Sequence, residues 1–530
     1  MKQISILDCT LRDGGYINNW NFGSVIIRNI TEKITQSNID IIECGFLRDV
    51  EYDVNCAVYN DVHQIIPFIS PKKPDIMYVG MIAVGDISAD KITPYDGLSI
   101  DGIRLTFHKH EWDEVRATAV ALMKKGYKVF IQPVGTTGYS DRELLELVEK
   151  VNELKPFAFY IVDTLGTMYR NGLLHTFYIV ENNLDSEIVI GYHSHNNLQL
   201  AFSNAQALMT LNTRRNLILD ASVFGMGRAA GNLCTELITQ YINVNLESRY
   251  NVTPLLEIVD DYLIPIFNNT PWGYSVPYYL SAIGNIHPDY STYLINKQTI
   301  SIKSIGTILN QIPSEKRSLY DQSYIEMLYL KFQQHEINDI EPRKRLSKLI
   351  DKRPVLIIAP GKTIRNKQNE INSFIDKHNP FIITINFVSD EFPQDIAFIS
   401  NMKRFDGLMQ LTEQINSPIV VTSNIMQNPI SEQFLPVNYT SLLGNEAEAD
   451  NSGIMLIHLL EDLGVSVIFL AGFDGFSSNI QDNYYSQELI NSVERSAIIQ
   501  KNAAIVKHLN RIRERLKLVF VTPSYFEESQ

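Results

Sequence analysis

Ile4-Ser5-Ile6-Leu7-Asp8-Cys9-Thr10-Leu11-Arg12-Asp13-Gly14-Gly15-Tyr16 is an alternating apolar run that ends in an arginine beside an aspartate, then in two glycines. The alternation reads as a β-strand, and the paired glycines let the backbone turn sharply and approach a neighbour closely. A strand built this way delivers charge to a site. Seven further β-type runs follow it, at 39–44, 76–82, 102–107, 128–134, 158–163, 187–193 and 217–223. Between them lie stretches with apolar residues three and four apart, such as Leu144, Leu147, Val148, Val151 and Leu154. Eight βα units in about 250 residues is the size of a closed parallel barrel, whereas an open doubly wound sheet more often has about five to seven strands.

A closed barrel makes a sharp demand. Chemistry belongs on the rim where strands end and helices begin, because that rim is built of variable loops. The chemistry-bearing residues of this chain fall there: Arg12 and Asp13 after strand one, Glu43 at the end of strand two, Asp163 and Thr164 at strand six, His193 and His195 at strand seven, and Gly225 to Asn232 after strand eight. The strand-seven stretch, Ile188-Val189-Ile190-Gly191-Tyr192-His193-Ser194-His195-Asn196-Asn197, is the most specific of these signals. Strand side chains alternate, so His193 and His195 share a face with Val189 and Gly191, expected to be the barrel interior. Two imidazoles there, with Asp13 carried onto the same rim, form a two-histidine, one-carboxylate set with open positions. Nitrogen and oxygen donors of this kind suit Mn²⁺, Mg²⁺, Zn²⁺ or Fe²⁺.

Composition narrows the partners. The 530 residues carry 60 acidic and 46 basic side chains, a formal charge of −14, and no long basic run, which disfavours nucleic acid and anionic membranes as partners. The first residues resemble no signal peptide and no apolar stretch approaches about 20 residues, so a cytoplasmic protein is expected. Four scattered cysteines (Cys9, Cys44, Cys56, Cys234) lack CxxC spacing and read as reduced, buried thiols.

Leu7 to Gly14, Glu43, the HxHNN of His193 to Asn197 and the Gly225-Met226-Gly227-Arg228-Ala229-Ala230-Gly231-Asn232 loop resemble the DRE-TIM metallolyases, a superfamily that includes 4-hydroxy-2-oxovalerate aldolase, hydroxymethylglutaryl-CoA lyase, and isopropylmalate and homocitrate synthases. The likeness spans about residues 1 to 290. It implies a TIM (β/α)8 barrel that makes or breaks a carbon–carbon bond beside a divalent metal, Mn²⁺ or Mg²⁺ first and Zn²⁺ second. Carried over by residue, it makes Asp13, His193 and His195 metal ligands with Asn232 as a fourth, Arg12 the stabiliser of an enolate, and Glu43 the carboxylate that orients the arginine. The plainer readings are a buried Arg12–Glu43 ion pair and Asn232 as a helix cap. Asn196-Asn197 is similar to the aldolases rather than to the acyl-CoA synthases.

Two departures from the family pattern concern proton transfer. Aldolases of the oxovalerate type carry a histidine two residues beyond the LRDG glycine, where this chain has Tyr16, and an unperturbed phenol titrates near 10, far from a base at neutral pH. The loop 225–232 also lacks the lyase cysteine. Tyr16 is therefore a catalytic candidate that needs tuning, and His287, in the aromatic-rich segment after the barrel, is a second.

From 300 to 350 the pattern is helical and charged. A second α/β unit begins at Pro354, with six short strands expected at 355–359, 381–385, 396–399, 419–421, 466–470 and 518–521, suggesting an open Rossmann-like sheet. Ala359-Pro360-Gly361, Asn386, Asn451-Ser452-Gly453 and Ala471-Gly472-Phe473-Asp474 faintly resemble a sialyltransferase-like domain of unknown function, which implies that Gly361, Asn386 and Asp474 line a nucleotide or sugar pocket.

The sequence thus predicts an α/β protein: a barrel over 1–270, a helical extension and linker over 271–352, and a Rossmann-like domain over 353–530. The expected reaction is a metal-dependent aldol cleavage or condensation next to a 2-oxo acid of the pyruvate type, with a carbonyl compound as partner. The alternatives are an acyl-CoA-dependent Claisen condensation and a non-catalytic metal-binding scaffold. A homo-oligomer is expected, and the second domain suggests a role in surface-polysaccharide precursor synthesis.

Overall fold

The computed structural model describes residues 3–527 apart from 389–390, 410–416, 427, 444–449, 478, 480–481, 487–488 and 490–494. The chain divides into two compact units, Met1–Pro288 with Arg317–Leu319, and Asp289–Lys316 with Tyr320–Gln530.

The first unit contains strands β1 (Ile4–Asp8), β2 (Ile41–Leu47), β3 (Val58–Tyr59), β4 (Met77–Ala83), β5 (Gly102–Phe107), β6 (Lys128–Pro133), β7 (Ala158–Asp163), β8 (Val189–Ser194) and β9 (Leu217–Ala221). All pairings are parallel, in the order β1-β9-β8-β7-β6-β5-β4-β2-β3, and the β1–β2 pairing closes the barrel. Eight of the nine strands are those expected. The ninth, β3, is a two-residue addition beside β2, too short to show a period in the sequence. The strands are buried on both faces, which is why they read as nearly continuous apolar runs. One face of alternate residues, Leu7, Ile41, Val79, Phe130, Tyr160 and Ile218 among them, forms an apolar layer inside the barrel. The opposite faces join the surrounding helices in a second, larger core. One of those helices, Asp141–Leu154, starts where its capping box predicts: Ser140 accepts from the Glu143 N–H and Glu143 answers on the Ser140 N–H.

The second unit holds β10 (Val355–Ile358), β11 (Phe381–Ile385), β12 (Ile396–Ile399), β13 (Ile419–Thr422), β14 (Phe434–Val437), β15 (Val467–Ala471) and β16 (Lys517–Phe520). They form one parallel sheet in the order β14-β13-β12-β11-β10-β15-β16. Six strands were expected. The seventh, β14, contains Pro436, which lacks an N–H and argues against a strand in the sequence; the residue is tolerated because β14 lies on the edge. The region between barrel and sheet is helical, including Val276–Ile283, Gln322–Gln333 and Ile340–Ile350.

All four cysteines are free. Cys9 and Cys44 are buried, whereas Cys56 and Cys234 are partly exposed, so the expectation of burial holds for two of the four. Among the described residues no helix is long and apolar enough to cross a membrane.

Candidate active site

Parallel strands all end on the same side, so the residues just above the apolar layer meet at one rim of the barrel. Asp13, His193 and His195 each offer a ligand atom there, and these atoms lie within 4.8 Å of one another. Asp13 follows β1, His193 is near the end of β8, and His195 comes immediately after it; the two imidazole rings are 5.2 Å apart, edge to face. Arg12 is 5 % exposed and donates from Nε to Glu43 Oε2 at 2.8 Å and from Nη1 to Asp13. The guanidinium is thereby locked, with Nη2 left without an acceptor among the described residues. A register shift in the β2–β4 pairing between Glu43 and Phe46 marks a bulge directly after Glu43.

Below the donor triad runs a buried chain of alternating charge that the sequence did not reveal. Glu43 is shared by Arg12 and Arg104, the latter pair at 2.7 Å. Arg104 also pairs with Asp220, and Asp220 accepts from His193 Nδ1 at 3.0 Å. Glu43, Arg104, Asp220 and His193 come from β2, β5, β9 and β8, and each stands on the interior parity of its strand. Arg104 lies 4.9 Å over the Tyr160 ring, on top of the apolar layer. Burial alone opposes charge on Arg104 and Asp220. For Asp220, Arg104 and His193 outweigh burial and hold the carboxyl below its usual range. For Arg104, Asp220 and Glu43 outweigh burial and raise the pKa. Because Asp220 occupies Nδ1 of His193, the Nε2 lone pair is the one presented to the site.

The donors fit a divalent cation on three counts. Burial pushes Asp13 up, but Arg12, His195, His193 and the Asn232 amide together keep it well below the usual carboxylate range, so it is ionised. Burial pushes His195 down to about 4 against the pull of Asp13, with His193, Arg228 and Arg12 lowering it further, so the ring is neutral and able to ligate. Asn232 donates its amide nitrogen to Asp13 and to the Met226 carbonyl, which fixes Oδ1 as the outward atom, and that buried oxygen has no partner. A buried carbonyl oxygen beside the triad, unpaired among the described residues, is a donor that a cation could use. Gly227 makes this packing possible: a Cβ there would sit 2.2 Å from Asn232 Nδ2 and 2.9 Å from Asp13 Oδ2.

Tyr16 reaches the rim but is not tuned toward a base. Burial around the phenol raises its pKa, and this outweighs Arg12, Arg228 and Arg48, although 38 % of the residue is exposed. Its ring packs edge-on to Trp20 at 4.8 Å, and the Arg228 guanidinium lies 5.3 Å from its centroid. His287 lies in the turn after helix Val276–Ile283, with its backbone N–H on the Arg317 carbonyl. Asn197 fastens two rim loops, donating to the Leu165 carbonyl and accepting from the Ala230 N–H. In the second unit, Gly361, Asn386 and Asp474 do line one cavity.

Residues 3–261 match the HMGL-like family model. The chain is 21 % identical over 271 residues to a 4-hydroxy-2-oxovalerate aldolase of Pseudoalteromonas translucida, covering 50 % of this chain and 78 % of that protein. It is 24 % identical over 235 residues to an oxaloacetate decarboxylase of Mycobacterium tuberculosis, covering 44 % and 68 %. Among solved structures, the HMG-CoA lyase of Brucella melitensis aligns at 13 % identity and a TM-score of 0.41 over 49 % of this chain and 96 % of that one. Residues 3–261 are an HMGL-like domain of the DRE-TIM metallolyase kind, whose aldolase and decarboxylase homologues support a divalent-metal-dependent carbon–carbon lyase.

Proposed function

We propose that the barrel is an aldolase acting on a 2-oxo acid, cleaving or forming the bond between the carbon next to the oxo group and a carbonyl partner. The observation that carries this reading is the locked Arg12 guanidinium, bonded to a member of the Asp13, His193 and His195 triad and holding Nη2 free. Its sequence relatives named as an aldolase and a decarboxylase of oxo acids support it. Asp13, His193, His195 and the Asn232 oxygen would hold Mn²⁺ or Mg²⁺, which when bound supplies Lewis acidity toward the 2-oxo acid. As the carbon–carbon bond breaks, its electron pair becomes the carbon–carbon double bond of the enolate and the oxo oxygen takes up the charge, while the hydroxyl on the departing carbon gives its proton to water and becomes the carbonyl of the partner. Arg12 meets the growing negative charge with a guanidinium that needs no reorganisation, because Glu43 and Asp13 already fix it. The protonated phenol of Tyr16 serves as a hydrogen-bond donor at the mouth, not as the base.

Solvent deuterium entering the methyl group of pyruvate in the presence of Mn²⁺ is the test. Exchange is expected in the wild type, within a few-fold of it in Tyr16→Phe, and lost in Arg12→Ala. Absence of exchange, with thioesters accepted as substrates instead, would overturn this reading in favour of the Claisen reaction.

A further inference from the structure

The second unit has a cavity of about 240 Å³ at the carboxyl ends of β10, β11 and β15. The sheet runs outward from β10 through β11 to β14, and the chain then returns to the other side of β10 for β15 and β16. Strand order reverses at β10, and the loops above such a point diverge and leave a crevice. Gly361 and Gly472 form its floor: a Cβ on Gly361 would sit 2.3 Å from the Gly472 carbonyl oxygen and 2.5 Å from Asp474 Cγ.

The polar groups that the sequence singled out are largely committed to the scaffold. Asp474 accepts from the Thr363 N–H at 2.8 Å and from its hydroxyl. Asn386 donates to Ser452 at 2.6 Å and accepts from the Ser400 N–H at 3.1 Å. Asn451 caps helix Ser452–Asp462 by accepting from the Gly453 and Ile454 N–H groups. Asp450 is held by the hydroxyls of Tyr329 and Tyr439.

Two lining cations are not committed. The Lys297 ammonium lies 5.0 Å over the Tyr329 ring and the Lys501 ammonium 5.9 Å over Phe476, and neither has a hydrogen-bond acceptor or an ion-pair partner among the described residues. Burial lowers the Lys501 pKa to about 8, Lys297 adds to that, and Asp450 resists it. Both ammonium groups therefore line one cavity with no hydrogen-bond acceptor or ion-pair partner among the described residues, resting on aromatic rings and, for Lys501, in the field of Asp450. Phe473, Phe476 and Ile505 supply its apolar wall.

We propose that this cavity binds a small phosphorylated molecule, its phosphoryl oxygens pairing with Lys297 and Lys501 and its organic part resting on the Phe473 and Phe476 side. A phosphate monoester is dianionic at neutral pH and matches two lysine charges, whereas a single carboxylate matches one. The scaffold bonds of Asp474, Asn386 and Asn451 hold the cavity open for it. A nucleotide and a sugar phosphate share this chemistry.

Calorimetric titration of the full chain with inorganic phosphate, cytidine 5′-monophosphate and glucose 1-phosphate tests the site. Saturable 1:1 binding of at least one organic phosphate is expected, tighter than inorganic phosphate; preference for the nucleotide or for the sugar phosphate identifies the source. Lys501→Met and Lys297→Met should each weaken binding at least tenfold. Asp13→Ala, which disables the barrel donors, should leave it unaltered. Thermal unfolding and circular dichroism confirm that each variant is folded, and Lys501→Gln replaces any that is not. Failure of all three compounds to saturate, unchanged affinity in both folded lysine variants, or loss of binding in Asp13→Ala would each overturn the proposal.

Discussion

Replacing Asp220 by asparagine isolates the step by which the interior charge chain prepares the metal donors. The carboxylate accepts from His193 Nδ1 at 3.0 Å and so leaves Nε2 unprotonated toward the cation. Asp220 is 2 % exposed, so water does not take its place. Asparagine keeps the shape and one oxygen but removes the charge that holds the tautomer and orientation of the ring. Losing such a partner behind a ligating histidine weakens metal binding about 10- to 100-fold, or roughly 1.4–2.7 kcal/mol. Arg104 retains Glu43 at 2.7 Å, so its charge is not orphaned, and the fold should lose no more than about 1–3 kcal/mol. Mn²⁺ affinity measured by the electron paramagnetic resonance of free Mn²⁺, with thermal unfolding run beside it, reads both quantities. A folded Asp220→Asn that binds Mn²⁺ within twofold of wild type would refute the reasoning, because it would mean that His193 is oriented without its carboxylate.

Three further perturbations follow from the same geometry. Arg104→Met removes the buried cation between Glu43 and Asp220, leaving Glu43 to Arg12 alone and Asp220 to His193 alone, and should cost about 3–5 kcal/mol, lowering the barrel's melting temperature by about 10 °C in scanning calorimetry. Gly227→Ala drives a methyl group into Asn232 and Asp13 and should lower the bound metal measured by elemental analysis, with a stability loss of about 1–3 kcal/mol. Asp8→Asn tests a pH term. Burial raises Asp8 to about 6 despite hydrogen bonds from Thr235 and Thr10, so the native state holds the proton more tightly than the unfolded chain, whose carboxyl titrates near 4. Its stabilising contribution is therefore complete below about pH 4 and lost as the pH rises through about 6. Urea unfolding should show the difference between Asp8→Asn and wild type moving in favour of the variant by about 3 kcal/mol from pH 4 to pH 7, and no movement would contradict the assignment.

The barrel was legible because its evidence is local. Alternation in 4–9, the capping box at Ser140 and Glu143, and His193 and His195 two residues apart all express period and spacing within a few residues, and strand alternation alone puts both histidines on one face. The same short range explains what stayed hidden. Arg104 sits in Gly102–Phe107, which reads as an ordinary strand, and its partner Asp220 is 116 residues away; only barrel closure brings β5 and β9 to face each other across the interior. Asn232 carried a plainer reading as a helix cap, but its amide is engaged by Asp13 and Met226, and its buried oxygen has no partner among the described residues. Asp474 and Asn386 stood out in sequence as polar residues at strand ends, yet the fold spends both on its own scaffold and leaves Lys297 and Lys501, from two distant helices, facing the cavity. Sequence alone determined the repeating strands and picked out the candidate donors Asp13, His193 and His195, since both depend on residue type and near-neighbour spacing. Which charges are paired, and which remain for a ligand, was decided only in the tertiary structure, because burial and charge compensation depend on side chains that meet across long stretches of chain.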